Sequence, residues 1–245
     1  MAEVVTSNIS KLCVDENVAI LTLDNGAKNL LSEPEFIETD VLLGFLEKHS
    51  EVNALVITGQ GRHFSHGADV SRFGEADTAL TITEKLEKSR NLLRTIERLP
   101  ILTAAAINGG CFGGGLEIAL ACQFRIASPK AHLGLPEIMH GVVPGMGGME
   151  RMARLLGRQN ALMMCLNGEM ITADEALSRG LITKITDDKD ALPETLTFVR
   201  ELAAGKTNLQ IRCIVDTMNR AFTGEEDPSK GKFEQVLAAL SERNL

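Results

Sequence analysis

Short apolar runs alternate with amphipathic stretches along this chain, and that alternation sets the first structural expectations. Residues 11–24, KLCVDENVAILTLD, read as two strands joined by a turn near Glu16 and Asn17, with Val18, Ile20 and Leu21 as β-favouring positions. In NGAKNLLSEPEF a turn leads into helix-start chemistry: Ser32 as N-cap, Pro34 in the first turn, and Glu35 three residues after the cap. Leu42, Leu43, Phe45 and Leu46 then supply that helix with its apolar face. Residues 53–59, NALVITG, and 101–108, ILTAAAIN, are continuous apolar runs, as expected of strands covered on both faces. Between them, residues 81–98 place Ile82, Leu86, Leu92, Leu93 and Ile96 on one side of a helix. Its alternating Lys, Arg and Glu positions read as a solvated face, not as a nucleic-acid comb.

The segment GGCFGGG precedes a helical LEIALAC, then strand-like QFRIAS, AHLGLPEI and a turn-rich GVVPGMGG. Helices are expected from Met149 to Gly157 and over 159–166, and ADEALSRGLITKI reads as a helix stopped by Gly180 with a strand after it. From about residue 191 the pattern is helical, interrupted by the polar TGEEDPSKGK. The expected class is therefore α/β: a mixed core over residues 1–190 and a helical module over 191–245. Periodicity alone leaves the strand order open.

Composition narrows the functional classes. With 44% hydrophobic and 24% charged residues the chain is ordinary globular material, and it lacks any apolar run of about 18 residues that could span a bilayer. The start, MAEVVTSNIS, has neither the basic residues nor the apolar core of a secretory signal, so a cytoplasmic location is expected. Five scattered cysteines without a CxxC pair argue against a zinc or thiol-redox site. A net charge of −8 argues against a general polyanion-binding surface, while leaving room for one local basic pocket that holds phosphates. Tyr is absent, which removes tyrosine as a candidate acid.

The candidate chemistry centres on Gly113-Gly114-Gly115-Leu116-Glu117. Glycines between a strand and a helix let backbone approach a ligand closely, and helix-start N–H groups lack intrahelical partners. Such a place suits an oxygen that gains negative charge during reaction, although tight helix packing explains a glycine run equally well. Glu117 is the charged residue of an otherwise apolar LEIALAC string; burying it ionised costs several kcal/mol (about 3–5) unless it is paired or hydrogen-bonded. Its alternative reading is a first-turn acid complementing the helix dipole. Glu137, in Leu135-Pro136-Glu137-Ile138, is a second acid among apolar residues and reads equally well as a helix cap. Two carboxylates sharing one water can divide general-base and general-acid work.

Four stretches resemble, in order and separation, the motifs of the crotonase (enoyl-CoA hydratase/isomerase) family. Phe64-Ser65-His66-Gly67-Ala68-Asp69 resembles F-x-x-G-A-D, and AAINGGCFGGGLE resembles A-x-x-G-x-x-x-G-G-G-x-E. LGLPEIMHGVVPGMGGMERMARLLG resembles P-E-x-x-x-G-x-x-P-G-x-G-G with its closing R-L and glycine. GEMITADEALSRGLITKI resembles the family's G-x-x-x-x-A-x-E-A-x-x-x-G-L-V. The similarity covers roughly residues 11–190, and the C-terminal part shows no match to the family's closing helices.

The resemblance implies a spiral of ββα repeats with a C-terminal helical module that builds a trimer or a dimer of trimers. It implies a thioester carbonyl held by the backbone N–H groups of Ala68 and Gly114, with Glu117 and Glu137 as the catalytic acids. His66, Gly67, Asp69, Gly113, His140 and Arg72 are then candidate substrate contacts. His66 and His140 depart from the family pattern and are alternatively structural or outward-facing. The implied activity is water addition across a 2-enoyl thioester of CoA or of an acyl-carrier protein. Alternatives are double-bond isomerisation with Glu137 as proton shuttle, or a non-catalytic scaffold or RNA-binding role. CoA would enter only as part of the substrate; no metal, nicotinamide or flavin is indicated, and neither nucleic acid nor membrane is expected as a partner.

Overall fold

The computed structural model describes residues 3–33, 35–68, 79–224, 229 and 231–242. A seven-stranded sheet runs in the order β1 (Val4–Thr6), β2 (Ser10–Asp15), β3 (Val18–Leu23), β4 (Ala54–Gly59), β5 (Leu102–Ile107), β7 (Phe124–Ala127) and β10 (Lys184–Ile185). The first three strands are antiparallel, and β3 through β10 are parallel. A smaller sheet joins β6 (Gly110–Phe112), β8 (His132–Gly134) and β9 (Met170–Thr172).

The expected hairpin over 11–24 forms, and its turn is tight enough to put Glu16 at φ 56. The continuous apolar runs are explained by two cores on opposite faces of the large sheet. Leu55 and Ile57 of β4 enter one core, whereas Ala54 and Val56 enter the other. The first core is closed by α1 (Thr39–Lys48), α2 (Ala79–Arg98) and α3 (Gly114–Ala121). The second is closed by α7 (Leu192–Ala203) and α8 (Asn208–Thr223), through Val199, Ala203, Ile211 and Val215. Each fully buried Leu or Ile in these faces contributes about 1.5–3 kcal/mol. The remaining helices are α4 (Gly148–Leu156), α5 (Arg158–Asn167), α6 (Ala173–Ser178) and α9 (Lys232–Glu242).

Two details differ from the sequence reading. The first helix begins at Thr39, not beside Ser32, whose hydroxyl instead meets the Asn25 side chain. Phe36 and Ile37 are adjacent and both buried, anchoring the chain ahead of the helix. Glu35 still serves the helix start, accepting from the Thr39 hydroxyl and N–H. Leu43, expected inward, is 42% exposed, while Leu42 and Phe45 are buried. Within GGCFGGG, Gly110–Phe112 forms β6 and pairs with β8, which brings the two glycine-rich motifs together.

Candidate active site

The site is built around the N-terminus of α3. Gly113 precedes it at φ 53 and ψ −126, and its N–H donates to the Gly134 carbonyl of β8. Gly114 opens the helix, so its N–H has no intrahelical acceptor. Beside it runs the segment Ser65–Ala68, held from several directions. Ser65 Oγ donates to the Asn29 carbonyl and accepts from the Gly67 N–H. The His66 N–H donates to the Lys28 carbonyl, and the Leu31 N–H donates to the Gly67 carbonyl. The Ala68 N–H takes no part in this clamp. The two backbones touch: a Cβ on Gly67 would lie 2.9 Å from the Gly114 nitrogen, and Gly67 sits at φ 81. Glycine is required there for both reasons.

Glu117 follows one helical turn into α3 and is 2% exposed. Its Oε1 accepts the N–H groups of Met146 and Gly148, each at 2.8 Å. Burial raises its pKa; those two N–H groups and the nearby Arg151 oppose the rise by favouring the carboxylate. Arg151 also fixes the donor turn, since its guanidinium donates to the Met146 carbonyl and pairs with Glu97 of α2 at 3.0 Å. On the other side, Arg90 of α2 donates to the Gly145 carbonyl. Gly148 is required for fit: a Cβ there would fall 2.7 Å from Glu117 Cγ.

Glu137 reaches the same place from a 3-10 turn, Pro136–His140, that follows β8. A Cβ on Gly113 would lie 3.1 Å from its Oε1, which sets the carboxyl over the start of α3. Its Oε2 is buried with no hydrogen-bond partner. Burial, assisted by the charge of Glu117, pushes its pKa up to about 7, against its own backbone N–H. The turn is backed by α5, whose terminal Gly168 packs against Met139 and Ile138. Cys165 of α5 lies near both acids: burial raises its thiol pKa first, then Glu137 and Glu117 add to it.

The structure thus brings together Gly67, Ala68, Gly113, Gly114, Glu117 and Glu137. His66 turns its ring edge-on to His63 and Phe112, at centroid distances of 4.5 and 5.1 Å. His140 is exposed at the end of the 3-10 turn. Asp69 and Arg72 lie outside the described residues. Sequence reasoning missed Met146, Gly148 and Arg151; their signal was the P-G-M-G-G turn and the arginine after it, which were quoted as a motif without a role.

The enoyl-CoA hydratase/isomerase family model matches residues 14–241. The chain belongs to that family. This corrects the expectation that similarity ends near residue 190, because the match continues through the C-terminal helices. The chain is 40% identical over 201 residues to a probable enoyl-CoA hydratase of Bacillus subtilis strain 168, covering 80% of this chain and 75% of that one. It is 36% identical over 200 residues to the fatty acid oxidation complex subunit alpha of Shewanella halifaxensis, of which it spans only 27%. A crystal structure of an enoyl-CoA hydratase from Geobacillus kaustophilus superposes with a TM-score of 0.87 at 26% identity, covering 98% of this chain and 91% of that one. The architecture is therefore the crotonase fold, and the protein is an enzyme of the hydratase-like type. Among the described residues no helix is long and apolar enough to cross a membrane.

Proposed function

We propose that this enzyme adds water across the double bond of a 2-enoyl thioester. One observation carries the reading: two carboxyl groups of unlike environment flank the start of α3, one pinned by two N–H groups and one held near neutrality. In this mechanism the N–H groups of Ala68 and Gly114 take the thioester oxygen and stabilise the enolate; one such donor is worth about 3–4 kcal/mol at the transition state. Glu117 presents its carboxylate to the water and removes its proton as oxygen bonds to C3. Glu137, protonated in about half the molecules near its own pKa, delivers a proton to C2. The unpartnered Oε2 of Glu137 is the atom free to do so.

The thioester carrier is proposed to be CoA, with no other cofactor; Asp69, Arg72 and His140 remain proposed substrate contacts. We further propose that the chain works as a trimer or a dimer of trimers, with residues 191–245 helping to assemble it. Exposed apolar side chains on the 3-10 turn, the loop after it and α5 support this, with Met139 71%, Val143 62%, Leu166 68% and Met163 57% exposed. Phe233 on α9, 71% exposed, extends the same argument to the C-terminal helices.

The test is loss of the enoyl ultraviolet absorbance of crotonyl-CoA, comparing wild type with Glu137→Gln, with 3-hydroxybutyryl-CoA identified by mass. Turnover in wild type and a loss of about a hundredfold or more in the variant is the expected result. No hydration by wild type, with 3-enoyl-CoA converted to 2-enoyl-CoA, would replace this reading by isomerisation with Glu137 as the shuttling base.

A further inference from the structure

A cavity of about 1120 Å³ opens behind the glycine loops, and none of Ala68, Gly114, Glu117 or Glu137 lines it. The segment carrying Gly67 faces two ways: Gly67 packs against the start of α3, whereas the His66 ring faces the cavity beside His63 and Phe112. Thr22, Thr58 and Asn108, at the ends of β3, β4 and β5, line another wall, beyond the N-terminus of α7.

Its charge runs against that of the chain. Arg62, Lys130 and Lys189 line it with Asp190 as the carboxylate among the lining residues, in a protein of net charge −8. Asp190 already accepts the Leu192 N–H at the start of α7. None of the three cations is ion-paired to a carboxylate of the described residues. The histidines add directed hydrogen-bonding groups. His63 Nδ1 accepts the Gly110 N–H, which leaves its Nε2 to carry the proton. His66 Nε2 is buried with no hydrogen-bond partner, while its ring lines the cavity wall. A concave site of this size encloses a small molecule, whereas an extended polyanion needs a continuous basic stripe.

We propose that this cavity is a second ligand site, which binds a small phosphorylated metabolite with its phosphates on Arg62, Lys130 and Lys189 and its remainder against His66 and Phe112. Phosphate suits it better than a single carboxylate because it offers several acceptor oxygens to donors that stand apart around one mouth. The site is independent of the hydration mechanism, since it uses none of the catalytic candidates.

The test is calorimetric titration of the full chain with inorganic pyrophosphate at low salt, on wild type and on the double variant Lys130→Ala, Lys189→Ala. Both lysines are exposed, so the variant is expected to keep the wild-type melting temperature and the wild-type rate with crotonyl-CoA. Wild type is expected to bind one pyrophosphate per chain, weakened about tenfold or more in the variant, with binding unchanged under saturating butyryl-CoA. No binding, or equal binding by the variant, would overturn the proposal. Displacement by butyryl-CoA would also overturn it, by making the cavity part of the thioester's own seat. Retention of single-stranded RNA that pyrophosphate does not displace would assign the surface to a macromolecular polyanion instead.

Discussion

Replacing Glu137 by Gln should make the protein more stable, and increasingly so as pH rises. A carboxyl held at about 7 in place of its ordinary 4.5 has its ionised form disfavoured in the folded state. At 1.36 kcal/mol per pH unit that amounts to at most about 3–4 kcal/mol. The group is only partly buried, so solvent screening reduces the figure to about 1–2 kcal/mol. The sign follows from proton uptake. Below about pH 4.5 both folded and unfolded chains hold the proton, and Glu137 contributes no pH dependence. Between that value and about 7 the unfolded chain releases it while the folded chain keeps it, so stability falls as pH rises. Above about 7 the loss is complete and constant.

Gln cannot ionise, so the variant lacks this fall. Any change from altered packing or from the amide at the Oε2 position is independent of pH and shifts the whole difference curve equally. Urea unfolding of both proteins at about pH 5 and about pH 8, at one fixed protein concentration, measures the quantity directly. The difference in unfolding free energy, variant minus wild type, should grow by about 1–2 kcal/mol across that range. A flat difference, or one that shrinks with pH, would refute the claim that burial holds this carboxyl near neutrality. The claim that it donates a proton at neutral pH would fall with it.

Four further outcomes are expected. Hydration activity should fall as pH rises above about 7, because the proton of Glu137 is lost, and a pH–rate profile of kcat checks this. Gly148→Ala should cut kcat by roughly tenfold or more with modest loss of stability, since its Cβ displaces the Glu117 side chain; Gly44→Ala, mid-helix in α1 with open space around its Cβ, should leave kcat alone and stabilise by about 0.5–1 kcal/mol in the same urea assay. Arg125→Met should destabilise by about 3 kcal/mol or more, because the buried guanidinium is the donor to the Leu181 and Cys122 carbonyls; unchanged urea midpoints would contradict that.

Which parts of this site were legible in the sequence depended on whether a residue's chemistry conflicted with its local surroundings. Glu117 stood out because one carboxylate interrupts a helix whose eight residues are all buried. The strands β4 and β5 stood out because opposite side chains enter opposite cores, which forces a continuous apolar run. Glu137 was ambiguous, since a Pro-Glu pair at a turn is also ordinary cap chemistry. Only β8 pairing with β6, and α5 packed behind the turn, bring it to Gly113. The misplaced start of α1 has the converse origin. Ser32 and Glu35 had the right chemistry at the right spacing, but burial of Phe36 and Ile37 outweighed it and left Glu35 to cap from four residues away. Least legible were the groups that act through backbone.

The N–H donors of Met146 and Gly148 have no side-chain signature of their own. Neither does the Met146 carbonyl through which Arg151 positions the first of them. Their precision resides in the turn, and the turn is held by two arginines anchored on α2 and α4. The orientation of Glu117 therefore depends on an ion pair outside its own helix. Arg151→Lys should test this: lysine keeps the charge beside Glu117 and loses the fork that spans the Glu97 carboxylate and the Met146 carbonyl. If the fork positions the turn, kcat should fall by about tenfold or more while the KM for crotonyl-CoA stays near wild type. A wild-type kcat would mean that charge alone suffices and that the turn holds its shape without Arg151.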